Sequence, residues 1–216
     1  MPSLRPRRLA LRLVCAVAAL LWTALRPTPG HAQGTPASAA APDPGPPLAP
    51  FTAMRVAIAP VQLWRADTAG WSVGLSWATL RTAVDSAVGA ELQARGLGRR
   101  WAYPLDVVRS ARRNPTYSAD PYALGVGRWR SVPPVPGAAM PPLLADNLRP
   151  LTAIDDTRYV LLPVELRADG ATAVLRLVFV DARTRSVLWV GDLAVAGGPR
   201  LVADLATRLA DLIVEP

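Results

Sequence analysis

Hydrophobic residues in the first half of the chain follow the spacing of two short strands and two helices. Residues 54–61 are a short apolar run rich in β-branched side chains, which is typical of a buried strand. Apolar residues then recur every three or four positions until Gly96, as in an amphipathic helix capped by glycine; they are Trp77, Leu80, Val84, Val88 and Leu92. Residues 99–103 form a second candidate strand, and Pro104 opens a short helix that ends before Asn114-Pro115.

The last third of the chain predicts a β-hairpin, a further strand and a helix. Two apolar segments, residues 158–167 and 171–180, flank an Asp-Gly turn that pairs Ala168 with Ala171. This register puts two sets of side chains on one face, namely Val160, Leu162, Val164 and Leu166 with Ala173, Leu175, Leu177 and Phe179. Pro163 cannot donate a ladder hydrogen bond, so its strand is predicted to lie at a sheet edge or to be irregular there. Residues 186–195 form a third strand, and Pro199 opens the final helix.

These elements predict an α/β fold of the α+β sandwich type. The order is β-α-β-α, a loop-rich middle and then β-β-β-α, which gives a mixed sheet of about five strands with helices packed on one face. Residues 51–216 are 166 positions, enough for a single domain with one hydrophobic core. A proline-rich segment at about 131–142 is predicted to be a long surface loop of this domain.

Residues 1–32 have the order of a cleaved export signal. A start with four arginines precedes an apolar run at residues 13–25, and the segment ends in small residues at Ala32. This run is shorter than the roughly 20 residues of a membrane-spanning helix, so the mature protein is predicted to have no transmembrane helix. Cys15 is the one candidate for lipid attachment, but no small residue precedes it directly, so a lipoprotein is not predicted.

The segment after the export signal is predicted to be a disordered tether. Residues 33–50 contain six prolines and almost no large apolar side chain, so they bury too little surface to offset the entropy lost on ordering. An exported domain on such a tether is expected in the periplasm or outside the cell.

Composition excludes most forms of side-chain catalysis. The 24 basic residues are all arginine, and without residues 1–32 there remain 19 arginines against 16 acids, a net charge of +3. The only cysteine, Cys15, and the only histidine, His31, lie in the same removed segment. A mature chain without thiol, imidazole or lysine amine lacks most covalent catalysts and most zinc and haem sites. No catalytic residue, cofactor site or metal site is therefore predicted.

Tryptophans and arginines of the predicted loops form a candidate interaction surface. Such side chains suit a protein surface, a phosphate, an anionic lipid or a polyanionic glycan; the candidates are Trp64, Trp71, Arg99, Arg100, Trp101, Arg128, Trp129 and Arg130. The alternative is that the arginines are solvated and the tryptophans are buried. An exported protein with a mild net charge is not expected to bind nucleic acid.

The only adjacent acid pair, Asp155-Asp156, is the candidate for paired-carboxylate hydrolysis. Adjacent side chains diverge, and the pair lies between a predicted helix end and a strand. A turn or helix-cap role is therefore the simpler interpretation.

Three segments carry a resemblance to bacterial envelope α/β domains. They are RVAIAP at 55–60, DTRYVL at 156–161 and LRLVFVDARTRSVLW at 175–189. This pattern resembles the group that contains the amino-terminal domain of TolB, CsgG and LpoB. The chain departs from the group at Arg185, where a glycine is usual, at Pro163, where a glycine is also frequent, and in having no β-propeller after the domain.

The resemblance implies an envelope adaptor that binds a protein partner and has no enzymatic activity. Association with the outer membrane or with peptidoglycan is left open. Two alternatives remain, a carboxylate- or metal-dependent hydrolase of an envelope glycan and a carrier of a ligand or lipid. The hydrolase would use Asp155, Asp156 and Glu165, and the carrier would use the apolar face under the loop at 133–142.

Overall fold

A computed structural model describes residues 45–65, 76–98, 100–169 and 171–214. The elements in these ranges are a 3-10 helix (Ala49–Phe51), β1 (Val56–Ile58), β2 (Leu63–Arg65), α1 (Trp77–Ala94), β3 (Trp101–Ala102), α2 (Pro104–Arg113), α3 (Arg128–Ser131), α4 (Pro142–Ile154), β4 (Tyr159–Asp169), β5 (Thr172–Asp181), β6 (Ser186–Ala196) and α5 (Leu201–Asp211). Among the helices in these ranges, none combines the length and the apolar character needed to cross a membrane.

The strands form one mixed sheet, which confirms the predicted α/β class. Its order is β3-β1-β4-β5-β6, and the short β2 pairs with the far end of β4. The strands β1 and β2 run parallel to β4, and β3 runs parallel to β1, whereas β4, β5 and β6 are antiparallel neighbours. The loop-rich middle of the predicted order contains α3 and the 13-residue α4.

Helices cover both faces of the sheet, so the prediction of helices on one face is wrong. On one face, α1 and α5 pack on Val56, Ile58 and Phe179; on the other, α2 and α4 pack on Ala57, Val160 and Val180. Successive residues of a strand point to opposite faces, so a strand that is buried on both sides reads as a continuous apolar run. Residues 160–162, all fully or nearly fully buried, are such a run.

The hairpin differs from the predicted register. Ala168 pairs with Ala173 and Asp169 with Thr172, so the turn lies one position beyond the predicted one. The ladder then shifts between Pro163 and Glu165, which confirms the predicted irregularity at Pro163. Beyond this shift Val160 faces Val180 instead of Phe179, because one extra residue moves side chains to the opposite face. The predicted shared face holds for Leu166 but is wrong for Val160, Leu162 and Val164.

The folded region begins before residue 51, so the predicted tether is too long at its carboxyl end. Leu48 is fully buried in the core beneath α1 and α5. Its N–H donates to the carbonyl of Leu212 at 2.9 Å, just after α5. The 3-10 helix Ala49–Phe51 then leads into the first strand. Leu48 therefore attaches this end of the proline-rich segment to the domain.

The turn between β5 and β6 holds Arg185 in a strained backbone conformation. Its φ is +58°, a region that costs a side-chain-bearing residue about 1–2 kcal/mol. Asp181 fixes the turn, because its Oδ1 accepts hydrogen bonds from the N–H groups of Arg183 and Thr184. This is the position where the resemblance implies a glycine, and the backbone geometry explains that preference.

Arg185→Gly is expected to stabilise the protein by about 0.5–1 kcal/mol. The relief of strain exceeds the added entropy of the unfolded chain, which is about 0.4–1 kcal/mol for glycine. A melting temperature higher by about 1–3 °C is the measurable result. The matched control is Arg183→Gly in the same turn, since its φ is not positive; it is expected to lower the melting temperature. Equal effects of the two substitutions would contradict the strain at Arg185.

Candidate functional site

Trp101 and Trp129, which lie next to arginines of the predicted interaction surface, are core residues. Trp101 is 4% exposed in the core beside α1, and its Nε1 donates to the carbonyl of Thr52 at 3.3 Å. Trp129 is 5% exposed in the core on the opposite face of the sheet. Their assignment to an exposed surface is therefore wrong, because neither indole is accessible to a partner. Trp71 and Arg99 lie outside the described residues.

Trp64 belongs to a stacked pair at the edge of the core. Its ring lies 5.5 Å from that of Trp77 with an angle of 11° between the planes. Trp64 comes from β2 and Trp77 is the first residue of α1, so the stack joins the strand to the helix. Both side chains are half-buried and pack against the core. The stack therefore has the packing role that the sequence left as an alternative.

Arg130 forms an ion pair with a buried acid, Glu165. The Glu165 side chain is buried, and its carboxylate contacts Arg130 at 2.9 Å and Arg65 at 3.3 Å. Arg130 also donates to the carbonyl of Trp64 at 3.0 Å. These contacts bring Trp64 and Arg130 together, as the predicted surface requires, but they use Arg130 to neutralise a buried acid.

The remaining two arginines of the predicted surface differ in their contacts. Arg100 donates to the carbonyl of Ala53 at 2.9 Å, next to the first strand. Arg128 is exposed at the start of α3 and makes no ion pair with the described residues. The described members of the predicted set are thus divided among the two cores, an ion pair with a buried acid and two separate surface positions.

The acid pair Asp155-Asp156 ends α4 and separates its two carboxylates. Asp155 is the C-cap residue, and Asp156 follows with a φ of +47°. Asp156 forms an ion pair with Arg55. Burial raises the pKa of Asp155, against a hydrogen bond from Ser110 that lowers it, and the charge of Asp106 adds to the rise. With Glu165 held by arginines elsewhere, these acids do not form a two-carboxylate site, and a turn role fits them.

A further buried acid, Asp85, was not a candidate in the sequence. It lies on α1 and is 1% exposed; its Oδ1 accepts the N–H of Val61 at 3.1 Å, and its Oδ2 has no partner among the described residues. Burial raises the pKa of Asp85 to about 7, although the Val61 hydrogen bond and the charge of Arg81 lower it. Its helical position among apolar neighbours is the only signal in the sequence. Within the described ranges, no cluster of three or more Asp, Glu, His or Cys residues is suited to hold a metal ion.

The outer edge of β6 is open over most of its length in the described part of the chain. The proline-rich loop covers its first residues: Gly137 donates to the carbonyl of Val187 at 2.8 Å, and Val187 donates to Ala138 at 2.9 Å. Met140 of the same loop is buried and donates to Arg185 at 2.8 Å. From Leu188 to Ala196, no strand of the described chain pairs with this edge.

A groove runs beside the open part of β6. It has a volume of about 490 Å³ and lies between the end of β6 and α5. The strand contributes residues 194–196, and α5 contributes Asp204, Thr207, Arg208 and Asp211. An extended peptide on the β6 edge would thus have a groove for a side chain beside the end of the strand.

Comparison with known proteins gives only distant structural similarity. No protein-family model matches the chain, and no curated protein matches it. The NMR structure of LpoB from E. coli is similar over 89% of this chain and 90% of its own, at 14% identity and a TM-score of 0.41. The LpoB C-terminal domain from Salmonella enterica is similar over 65% of this chain and 81% of its own, at 11% identity and a TM-score of 0.39. The PelC dodecamer from Paraburkholderia phytofirmans is similar over 80% of this chain and 94% of its own, at 15% identity and a TM-score of 0.36.

These scores support no conclusion about function. LpoB, one of the three proteins in the predicted resemblance, is among the similar structures. The resemblance to TolB and CsgG stays a prediction.

Proposed function

We propose that this protein is an exported adaptor domain of the bacterial envelope, whose β6 edge binds an extended segment of a partner protein. The observation that carries the proposal is the open stretch from Leu188 to Ala196. These nine residues span about 30 Å, more than a typical partner strand of 5–6 residues needs. Export rests on the composition of residues 1–32, which lie outside the described residues.

Strand addition suits this edge because its backbone is available and its side chains offer selectivity. An open edge presents N–H and C=O groups that a second strand can pair with, and proteins normally cover long edges for this reason. Here the loop covers only the beginning of β6. The groove toward α5 would accept a side chain of the added segment beside residues 194–196.

A partner segment fits this edge better than a second copy of the chain. Asp192 lies in the middle of the open stretch and is exposed. Antiparallel pairing of two copies around this point would put Asp192 opposite Asp192, and like charges directly opposite destabilise a strand pair. Asp192 also contacts Arg176 at 2.9 Å and Arg167 at 3.6 Å within its own sheet. A partner with a neutral or basic residue at this position avoids the repulsion.

Site-specific photo-crosslinking in the envelope tests the proposal. A photoreactive residue is placed at Leu188 or Ala194, in the full chain, with Ala90 on the exposed side of α1 as the control position. Both edge positions are expected to react with one partner segment, at sites about five to six residues apart, since paired strands advance at the same rate. The adduct is expected in the envelope fraction and is mapped by mass spectrometry.

Other crosslinking results contradict the proposal in different ways. Adducts within β6 of a second copy would show self-association in place of a partner. Sites scattered over the surface of the partner, or equal labelling from Ala90, would exclude strand addition. Adducts that form only in the cytoplasm, with residues 1–32 still attached, would exclude the envelope role.

A further inference from the structure

A cavity of about 410 Å³ lies between α4 and the turn that joins β5 to β6. Its polar wall residues are Arg149 and Thr152 from α4, Thr157 and Arg158 from the segment after α4, and Arg183 and Arg185 from the turn. The volume is within the range of small-molecule sites, which is about 300–1,000 Å³. Among the residues that the structure describes, none of those lining it is acidic.

The charges around this cavity do not balance. Arg158 donates from Nε and Nη2 to the Oδ2 of Asp181, at 2.9 and 2.5 Å. Burial alone would raise the pKa of Asp181, but the hydrogen bonds from Arg158 and from the N–H groups of Thr184 and Arg183 hold it below its usual value. Asp181 is thus a carboxylate that cancels one arginine.

The other three arginines have no acid to neutralise them. Arg149, Arg183 and Arg185 form no ion pair within the described part of the chain. Four arginines line the cavity and Asp181 cancels the charge of one, which leaves a local excess of three positive charges. The carboxyl end of α4 offsets only about half a charge. An anion with two or more negative charges would match the remaining positive charge of the cavity.

A further feature of the wall favours a binding role. Arg185 keeps a side chain at a strained φ of +58°, where a glycine would be free of strain, and strain of this kind concentrates at functional sites. Arginine forks are groups that proteins use to hold phosphate oxygens.

We propose that this cavity binds a phosphate-bearing anion. Arg149, Arg183 and Arg185 donate to the phosphate oxygens. Arg158 stays paired with Asp181 in the cavity wall. The phosphate belongs to a soluble ester or to a lipid headgroup, which share this chemistry. The site is separate from the open stretch of β6, so it adds a second ligand to the proposed adaptor.

Titration calorimetry with inorganic pyrophosphate tests the site in the protein without residues 1–32. One pyrophosphate per chain is expected to bind, more weakly as the salt concentration rises. Arg149→Gln and Arg183→Gln are each expected to weaken binding by roughly five- to tenfold, since a charge-assisted hydrogen bond is lost at a partly screened position. The matched control is Arg113→Gln at the exposed end of α2, which removes the same charge and is expected to change the affinity less than about twofold.

Vesicles of phosphatidylglycerol and phosphatidylcholine distinguish the two sources of phosphate. Vesicle binding that pyrophosphate displaces and that Arg149→Gln weakens would assign a lipid headgroup to the cavity. Pyrophosphate binding without vesicle binding would assign a soluble ester. The proposal fails if no saturable pyrophosphate binding is measured, or if Arg113→Gln weakens binding as much as the cavity substitutions do.

Discussion

Asp85→Asn is expected to raise the free energy of unfolding by about 4 kcal/mol at pH 8 and to leave it nearly unchanged at pH 4. Asp85 has a pKa of about 7 in the folded protein against an ordinary value of 3.8, because burial disfavours its charged form. The asparagine keeps an oxygen for the Val61 N–H and carries no charge at any pH. It therefore imitates the protonated acid.

The sign of the pH dependence follows from the raised pKa. Between pH 4 and 7 the folded protein retains a proton that the unfolded chain has lost. The stability that neutral Asp85 provides is complete below about pH 4 and is lost as the pH rises through 7. The difference between the variant and the parent should therefore grow over this interval and level off above it.

Urea unfolding at pH 4, 6 and 8 measures this difference. Asp146→Asn, an exposed aspartate on α4, is the matched control and should stay within about 0.5 kcal/mol of the parent at each pH. A difference for Asp85→Asn that is the same at all three pH values would show that Asp85 is charged throughout, or that the amide fits the site poorly.

The elements with a clear hydrophobic period were predictable from the sequence, and their positions in the sheet were less so. The helix through Leu80, Val84, Val88 and Leu92 and the three carboxy-terminal strands are where the spacing puts them. Short β2 carries no such period, because three residues are too few to show one. The hairpin register depended on a turn that lies one position later than the Asp-Gly pair suggests.

The arginine contacts could not be predicted, because they join distant parts of the chain. Glu165 contacts Arg65 and Arg130, which are 100 and 35 residues away. The arginine-lined cavity is assembled from α4, the segment after it and the β5–β6 turn, whereas the sequence drew attention to adjacent arginine pairs. Adjacency along the chain therefore did not point to the arginines of this cavity.

Sequence and structure make opposite predictions for Leu48→Ala. If residues 33–50 were all tether, the substitution would have no effect on stability. The structure buries Leu48 completely against the core of α1 and α5, so we expect a loss of about 2–4 kcal/mol from the removed side chain and the cavity it leaves. Because Leu48 also donates its N–H to Leu212, the loss should be accompanied by faster amide exchange near the end of α5.

Urea unfolding and hydrogen exchange measure the two effects of Leu48→Ala. Leu143→Ala is the matched control, since Leu143 is 61% exposed on α4. The substitution deletes the same atoms from an exposed position, which costs little stability. A chain that begins at residue 51 should be destabilised at least as much as Leu48→Ala, because it lacks both the side chain and the N–H. If this shorter chain is as stable as one that begins at residue 45, Leu48 does not belong to the core, and the tether reaches to the first strand.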